Sequence, residues 1–443
     1  MSMPTLRPAV IGKDGRTTAI EKTLQASPRV AEVVYLGDGK HLFTKTAQEE
    51  VLAKASKTKP DFVVIGPEEP LAAGIVDRLQ NELHIPCVGP VQVLAKLESS
   101  KAFTRTLLAE YGIPGNPEFQ IFDQLEGIRE YLGRLGSFVV KPDGLTGGKG
   151  VKISDAHLFS IDEALGYCSE ILSERREKVV IEEKLEGEEF SLMSFCDGTH
   201  VSDIVVVQDH KRLGVGDTGP NTGGMGSYSC EDHGLPFLPG DVLDQASGIN
   251  RDVAKALLDK TKQKYKGVLY GGFMLTPRGL RLLEYNARLG DPETLNVLSI
   301  LKTDFATVCE AIIHEELHRV PITFERLATV CKYVVPEGYP ENPLKDVPID
   351  LSNVPPESAK LRIYHAALDK RDGNYFLTGS RAIAFVGIGR NLQEAESIAE
   401  EAASAVRGPV IHRRDIGTQE LVERRVAHVR SFSPSSNSRA AVP

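Results

Sequence analysis

Between residues 8 and 89, short apolar runs alternate with helical stretches. PAVIG at 8–12 reads as a buried strand, 12–16 as a turn and 17–25 as a helix. Residues 30–36 read as a second strand, 47–56 as a helix and DFVVIG at 61–66 as a third strand. A helix over 71–83 and a short strand over 86–89 complete the series. Apolar strands spaced by helices specify a parallel sheet, whose ligands sit on loops at the strand C-termini. Gly12, Gly15 and Arg16 occupy one such loop, and Gly66, Pro67 and Glu68 another. An ordinary βα turn accounts equally for each loop taken singly.

A second stretch, FVVKPDGLTGGKGV at 138–151, ends an apolar run in Lys141 and continues through Gly144, Gly147, Gly148, Lys149 and Gly150. Glycines admit positive φ and leave backbone N–H groups bare, and successive bare N–H groups cradle an anion. Lys141 and Lys149 add charge where phosphates would sit. The run has neither the G-x-x-x-x-G-K-[ST] nor the G-x-G-x-x-G spacing, so a mobile glycine turn fits it as well.

The chain's 443 residues predict about three domains. A net charge of −9 argues against nucleic acid as the main partner, because phosphate backbones demand a basic face. Small anionic ligands need only a local basic pocket. The sequence lacks a basic-then-apolar leader and a membrane-length apolar run. Six scattered cysteines without a C-x-x-C pair suit reduced thiols in the cytoplasm and speak against a zinc site.

Residues 90–111 read as one long helical stretch containing SKAF at 100–103, with a domain boundary near 103. A β-α-β-β-α-β lobe follows over 119–185, ending in an apolar strand that runs into Glu182, Glu183, Leu185 and Glu189. Two antiparallel strands, 190–197 and 201–207, lead to QDHKR and to GVGDTGPNTGGMG at 214–226, which reads as a functional loop. A helix over 250–265 precedes a hairpin of 267–274 and 280–284, which ends in EYNARLGDPET at 284–294. A third region starts at 328, and residues 431–443 have too little to bury to fold.

Strand alternation puts Glu284 and Asn286 on one face. An acid and a carboxamide offer the hard oxygens that Mg²⁺ prefers. Arg288 could stabilise charge on a transferring phosphoryl group. A solvated Glu–Asn–Arg surface strand is the even alternative, but Asp291 and Glu293 crowd further acids nearby, which is unfavourable unless cations bind. The acidic run after 181 is either a surface turn or a hinge whose backbone reads adenine and whose Glu189 accepts from ribose. Together the pieces describe two α+β lobes around ATP, with metal at the triphosphate.

The order Lys101, Lys141, glycine loop, Glu182–Glu189, Glu284-x-Asn286 resembles the ATP-grasp superfamily. Closer still, IGPEEPLAAGIVD (65–77), SKAF, VVKPDGLTGGKGV, IEEKLEGEEFS (181–191), QDHKRLGVGDTGPNTGGMG (208–226), GVLYGGFML (267–275), LEYNARLGDPET (283–294) and IHRRDIG (411–417) resemble the glycinamide ribonucleotide synthetase family, also called phosphoribosylamine–glycine ligases. The resemblance implies an N-terminal Rossmann-like α/β domain (1–103) and an ATP-grasp domain (104–327; lid lobe about 119–187, large lobe about 188–327). A small C-terminal α+β domain (328–430) and a disordered tail (431–443) would follow. It implies ATP with Mg²⁺ or Mn²⁺, and ligation of glycine to phosphoribosylamine through an acyl phosphate in purine biosynthesis. A cytoplasmic monomer or weak homodimer with small-molecule substrates, no nucleic acid and no membrane is expected.

Carried over by motif, Lys101 and Lys141 match phosphate lysines and Gly147, Gly148, Lys149 and Gly150 the lid. Glu182, Glu183 and Leu185 match the adenine hinge, Glu189 the ribose acceptor, and Glu284 and Asn286 the metal ligands. Arg288, Lys211 and Asp291 are the expected catalytic groups. Gly12, Gly15, Arg16, Pro67, Glu68, Asp209, Gly223, Gly224, Met225, Glu293 and Thr294 are the expected substrate contacts. The first loop departs from the family's Gly-Gly-Arg-Glu-His-Ala, having Asp14-Gly15-Arg16-Thr17-Thr18-Ala19. A ligase of the same scaffold with another amine acceptor is therefore the alternative. The GPNTGGMG and GDPET runs do not suit a biotin-dependent carboxylase.

Overall fold

The computed structural model describes residues 5–147 and 150–432. Gly148, Lys149 and the expected tail beyond Phe432 lie outside the described residues.

The first region runs β1 (Ala9–Ile11), α1 (Gly15–Gln25), β2 (Val34–Gly37), α2 (Lys45–Thr58), β3 (Val63–Ile65), α3 (Glu68–Ala72), α4 (Ile75–Leu83), β4 (Cys87–Val88). Its sheet has the order β2-β1-β3-β4 and is parallel throughout, as the alternation predicts. The second strand is shorter than expected, because Val30 makes an isolated bridge to Leu6 and pairing resumes at Val34. Helix α1 begins earlier than expected because Asp14 caps it, accepting the Thr17 N–H.

The stretch expected as one helix over 90–111 is two, α5 (Gln92–Ser99) and α6 (Lys101–Glu110). Ser100 between them is extended, and its hydroxyl oxygen accepts the Phe103 N–H as the cap of α6. A serine side chain bonded to the backbone competes with the helical ladder, and here it wins.

The small lobe runs β5 (Phe119–Phe122), α7 (Ile128–Leu135), β6 (Phe138–Pro142), β7 (Lys152–Ile153), α8 (Ile161–Glu170), β8 (Val179–Glu183). Its antiparallel sheet has the order β5-β8-β6-β7. Ile128, Leu132, Val140 and Ile181 belong to a core of its own. The N-terminal sheet and the large lobe instead share one continuous core.

The large lobe contributes β9 (Glu188–Asp197), β10 (Val201–Asp203), β11 (Gln208–Asp209), β12 (Arg212–Gly214), β13 (Thr218–Asn221) and β14 (Gly226–Ser229). The stretch expected as irregular is therefore partly a β12–β13 hairpin. Then come α9 (Gly240–Thr261), β15 (Lys266–Thr276), β16 (Gly279–Asn286), α10 (Glu293–Ser299) and α11 (Phe305–His314). Helix α9 starts ten residues before the expected 250. The sheet order is β10-β9-β15-β16.

The last region adds β17 (Ala328–Pro336), β18 (Pro348–Ile349), β19 (Leu361–His365), β20 (Leu368–Arg371), β21 (Asn374–Leu377), β22 (Ile383–Gly389), α12 (Leu392–Ser404), β23 (Val410–His412) and α13 (Gln419–Arg430). Its main sheet, β11-β14-β17-β22-β19 with β23 beside β17, recruits two strands from before residue 328. That shared sheet fixes the 208–226 stretch between the second and third regions.

A buried charge cluster joins the lobes. Arg105 of α6 donates to both oxygens of Glu182 (2.7 and 3.0 Å) and to the carbonyls of Leu282 and Leu283 (3.0 and 2.7 Å). Lys141 Nζ donates to the same carboxylate at 2.7 Å. Burial pushes the Glu182 carboxyl up, but Arg105 and Lys141 outweigh it and hold it at about 2.

Glu182→Gln leaves Arg105 buried without its counter-charge, so urea unfolding of the variant is expected to show a loss of about 3–5 kcal/mol. The folded value lies below the unfolded carboxylate's ~4.3, so the clamp contributes fully above that pH and fades as pH falls toward about 2. The acid limb of the variant should therefore be shallower by this share. An equally steep limb in both proteins contradicts the clamp.

Candidate active site

Strand β16 delivers Glu284 opposite Gly272 and Asn286 opposite Tyr270 on β15. Lys211, just past β11, brings its Nζ to 3.4 Å from Glu284 Oε1 and 3.8 Å from Glu189 Oε2. Lys211 first, then Lys141 and Lys101, hold the Glu284 carboxyl at about 2 against burial. Glu284 in turn raises Lys211. Burial and the neighbouring Lys141 lower Lys101. Glu189, Asp209, Lys211, Tyr270, Phe273 and Leu283 line a cleft here. The structure thus brings three lysines from three segments to one carboxylate face. Glu284, ionised, and Asn286, a neutral amide, are hard-oxygen donors that fit a magnesium-type ion.

The α5–α6 junction grips the stem of the glycine loop. Asp143 accepts from the Ser100 hydroxyl (3.0 Å) and from the Ala102 N–H (2.7 Å), so a carboxylate sits on the α6 N-terminus. Lys101 Nζ donates to the Gly144 carbonyl at 2.8 Å. Gly147 takes φ +55°, a conformation that favours glycine. On the other stem, the Tyr167 hydroxyl donates to the Gly150 carbonyl at 2.8 Å.

At the expected adenine hinge, the side chains are engaged elsewhere. The Glu182 carboxylate lies inside the Arg105–Lys141 clamp, which leaves its backbone alone for a hinge role. Glu183 bonds Arg278 and accepts the Glu118 N–H at 3.0 Å. Leu185 lies in the link between β8 and β9.

Arg288, expected as a catalytic group, is paired within the protein. Its guanidinium does not stand free for a phosphoryl group. It lies 3.3 Å from Glu68 and 3.0 Å from Glu98, with its side chain 15% exposed. Glu98, at the end of α5, also accepts the Ala287 N–H at 2.8 Å. Burial lifts the Glu98 carboxyl to about 7 while Arg288 pulls it back. The pair ties the N-terminal region to the backbone just beyond Asn286.

Gly12, Gly15, Arg16, Pro67 and Glu68 cluster at the C-terminal ends of β1 and β3. Arg16 donates to Asp14 (2.5 Å) and to the Leu289 carbonyl (2.8 Å), with Glu68 at 3.7 Å. Burial raises Asp14, yet Arg16 and Thr17 outweigh it and hold it at about 2. A Cβ on Gly15 would fall 1.9 Å from the Tyr333 hydroxyl, so the third region packs directly on this loop.

The remaining residues form a second cluster. Asp291 accepts from the Tyr333 hydroxyl (2.7 Å) and pairs with Arg381 (3.1 Å). Arg381 also donates to the carbonyls of Gly223 (2.5 Å), Gly224 (3.1 Å) and Asp291 (2.8 Å). Glu293 accepts from Ser191 (3.1 Å) and Tyr270. Burial first, then Glu293, raises Asp209 well above the carboxylate range, with Lys211 and Arg381 opposing. Met225 and Thr294 are fully buried, so they shape the loops from inside. Sequence reasoning missed Glu98, Tyr270, Tyr333 and Arg381. Arg381 sits in the Thr378-Gly379-Ser380-Arg381 turn, which departs from the family by Ser in place of its usual second Gly and gives no sign of the acid that Arg381 meets, and the others read as ordinary helix and strand residues.

Three family models match the chain: the phosphoribosylglycinamide synthetase N domain over 7–98, the ATP-grasp (A) domain over 99–294 and the C domain over 329–419. The phosphoribosylamine–glycine ligase of Methanocella arvoryzae is 42% identical over 95% of this chain and 98% of that protein. The enzyme of the same name from Methanocaldococcus jannaschii is 43% identical over 94% and 97%. The crystal structure of the phosphoribosylamine–glycine ligase of Thermotoga maritima superposes with a TM-score of 0.77 at 29% identity, covering 93% of this chain and 100% of that one. A biotin carboxylase from Campylobacter jejuni shares the fold alone, with a TM-score of 0.71 at 12% identity. With its three domains matched in order and relatives above 40% identity over nearly the whole length, the chain belongs to the phosphoribosylglycinamide synthetase family.

Proposed function

We propose that this chain ligates glycine to 5-phosphoribosylamine, converting ATP to ADP and phosphate and yielding glycinamide ribonucleotide for purine biosynthesis. The convergence of Lys101, Lys141 and Lys211 on the Glu284–Asn286 face carries this reading. A triphosphate needs such a face, with cations for its oxygens and hard donors for its metal.

The glycine carboxylate oxygen attacks the γ-phosphorus and ADP leaves. The acceptor amine then attacks the glycyl carbonyl, and phosphate leaves. No protein nucleophile takes part. Catalysis is positioning and charge neutralisation in a site closed to water. Lys101 and Lys141 hold phosphate oxygens. Lys211 releases Glu284 and turns to the phosphoryl oxygens. Backbone of Glu182, Glu183 and Leu185 reads adenine, and Glu189 takes the ribose. Glu284 and Asn286 would hold Mg²⁺ or Mn²⁺, which would neutralise phosphate charge. Asp209, Gly223, Gly224 and Asp291 border the acceptor, with Arg381 fixing their loops. Arg288 acts by position, anchored to Glu68 and Glu98. The reading carries a cytoplasmic monomer or weak homodimer.

Phosphate release should require ATP, glycine and phosphoribosylamine together. Release that needs glycine but proceeds equally with unrelated amines sinks the acceptor assignment. Glu284→Ala should lower turnover at least about a hundredfold, because it removes charge stabilisation at the reacting phosphate. Its melting temperature should stay near wild type, since Glu284 is half exposed. Turnover within a few-fold of wild type rules out Glu284 as a ligand.

A further inference from the structure

Strand β9 carries Glu189 at one end and Asp197 at the other. At about 3.3 Å per residue, the two are roughly 26 Å apart, so the Asp197 end is remote from the nucleotide cleft. There Asp197, His200 and His318 bring one donor atom each to within 4.8 Å of one another. Asp197 ends β9, His200 lies in the β9–β10 turn, and His318 sits in a 3₁₀ turn (Leu317–Arg319) after α11.

The Asp197 carboxylate is fully buried, yet among the described residues its ion-pair partner is an imidazole, with no lysine or arginine beside it. Oδ1 accepts the N–H groups of Thr199 (2.9 Å) and His200 (2.7 Å). Oδ2 accepts the Leu317 N–H (3.1 Å) and faces His200 Nδ1 at 3.0 Å. An ion about 2.1 Å from both atoms of that 3.0 Å pair would subtend about 90°, a normal angle between neighbouring ligands. The His318 ring stands over the His200 ring, centroids 4.4 Å apart. Two imidazoles on one ion place their centroids about 5 Å apart, and the exposed His318 ring lies at a comparable spacing.

We propose that Asp197, His200 and His318 form a site for one first-row divalent ion of the Zn²⁺ or Cu²⁺ kind, separate from the magnesium face. Two imidazoles and one carboxylate favour these borderline ions over magnesium. Cysteine spacing argues only against a thiolate site, and this cluster uses none. A bound ion replaces the proton shared by Asp197 and His200. It also staples the β9–β10 turn to the segment after α11, some 118 residues further along.

Zinc alone is the first probe, titrated calorimetrically into the full chain, with Glu284→Gln as background against binding at the nucleotide cleft. One equivalent should bind in wild type and in Glu284→Gln. It should be absent in His200→Ala and weakened by at least about tenfold in His318→Ala. Zinc should raise the melting temperature of wild type and leave that of His200→Ala unchanged. Copper should show nitrogen coupling from two imidazoles in wild type and from one in His318→Ala. Zinc stoichiometry unchanged by both histidine substitutions, or lost with Glu284→Gln, overturns the site. So does the absence of zinc binding in wild type, which leaves the pair holding a proton only. His318 is exposed, so its variant keeps the test valid if His200→Ala unfolds.

Discussion

A single buried carboxylate sets the geometry of the nucleotide end. Glu182 holds Lys141 with one oxygen and Arg105 with both, and Arg105 reaches on to the carbonyls of Leu282 and Leu283, immediately before Glu284. Lys141 and Glu284 belong to different lobes with separate cores. Glu182, through Arg105, ties one to the other. Its acidity does not come from exposure but from two cations overcoming burial. Such a cluster is weak as a source of net stability, because desolvation consumes much of the attraction. Its value lies in orientation, since no apolar substitute would set the lysine's position to hydrogen-bond precision.

The α5–α6 break extends the same logic. Within five residues the chain presents Glu98 to Arg288 and Ala287, Ser100 and Ala102 to Asp143, and Lys101 to the Gly144 carbonyl. A continuous helix would spread these groups around its circumference. The serine cap turns the chain, so both the segment after β16 and the stem of the glycine loop dock on one junction. The Lys101 bond to Gly144 is made with a carbonyl, an acceptor that a phosphate oxygen outcompetes through charge. The ammonium group expected to meet a phosphate thus already holds the loop stem.

Much of this was legible in the sequence, and the reason is local. Glu284-x-Asn286 follows from strand alternation, and the parallel first sheet from apolar spacing. Pairings between distant segments were not legible. Arg288 looked free because nothing in EYNARLG indicates that Glu68 and Glu98 close on it. The 214–226 stretch looked irregular because Gly and Pro dominate it, and these residues also concealed a local hairpin that makes 218–221 a strand against 212–214. Arg381 lies ninety residues beyond Asp291, the acid it pairs with, so no spacing rule connects them. The helix break at Ser100 was visible only as a residue type, since serine is tolerated inside helices as well as at their starts.

The departure at the first loop has a structural consequence of its own. Asp14 receives the Thr17 N–H, the Thr17 hydroxyl and the Arg16 guanidinium, so the positive end of α1 is already neutralised by the chain itself. The Thr17 hydroxyl also occupies the only space that a Cβ on Gly12 or Gly66 would take, at 2.2 and 2.3 Å, which closes the β1 and β3 loops on each other. Thr18 donates to the His365 carbonyl in the third region at 2.8 Å. The replaced residues are thus spent on bonds within the fold. An anionic group approaching this side meets a compensated helix end, and charge for it must come from Arg16, which already answers to Asp14 and Glu68. Rigidity is gained where free positive charge is lost, and the first loop is held by bonds within the chain.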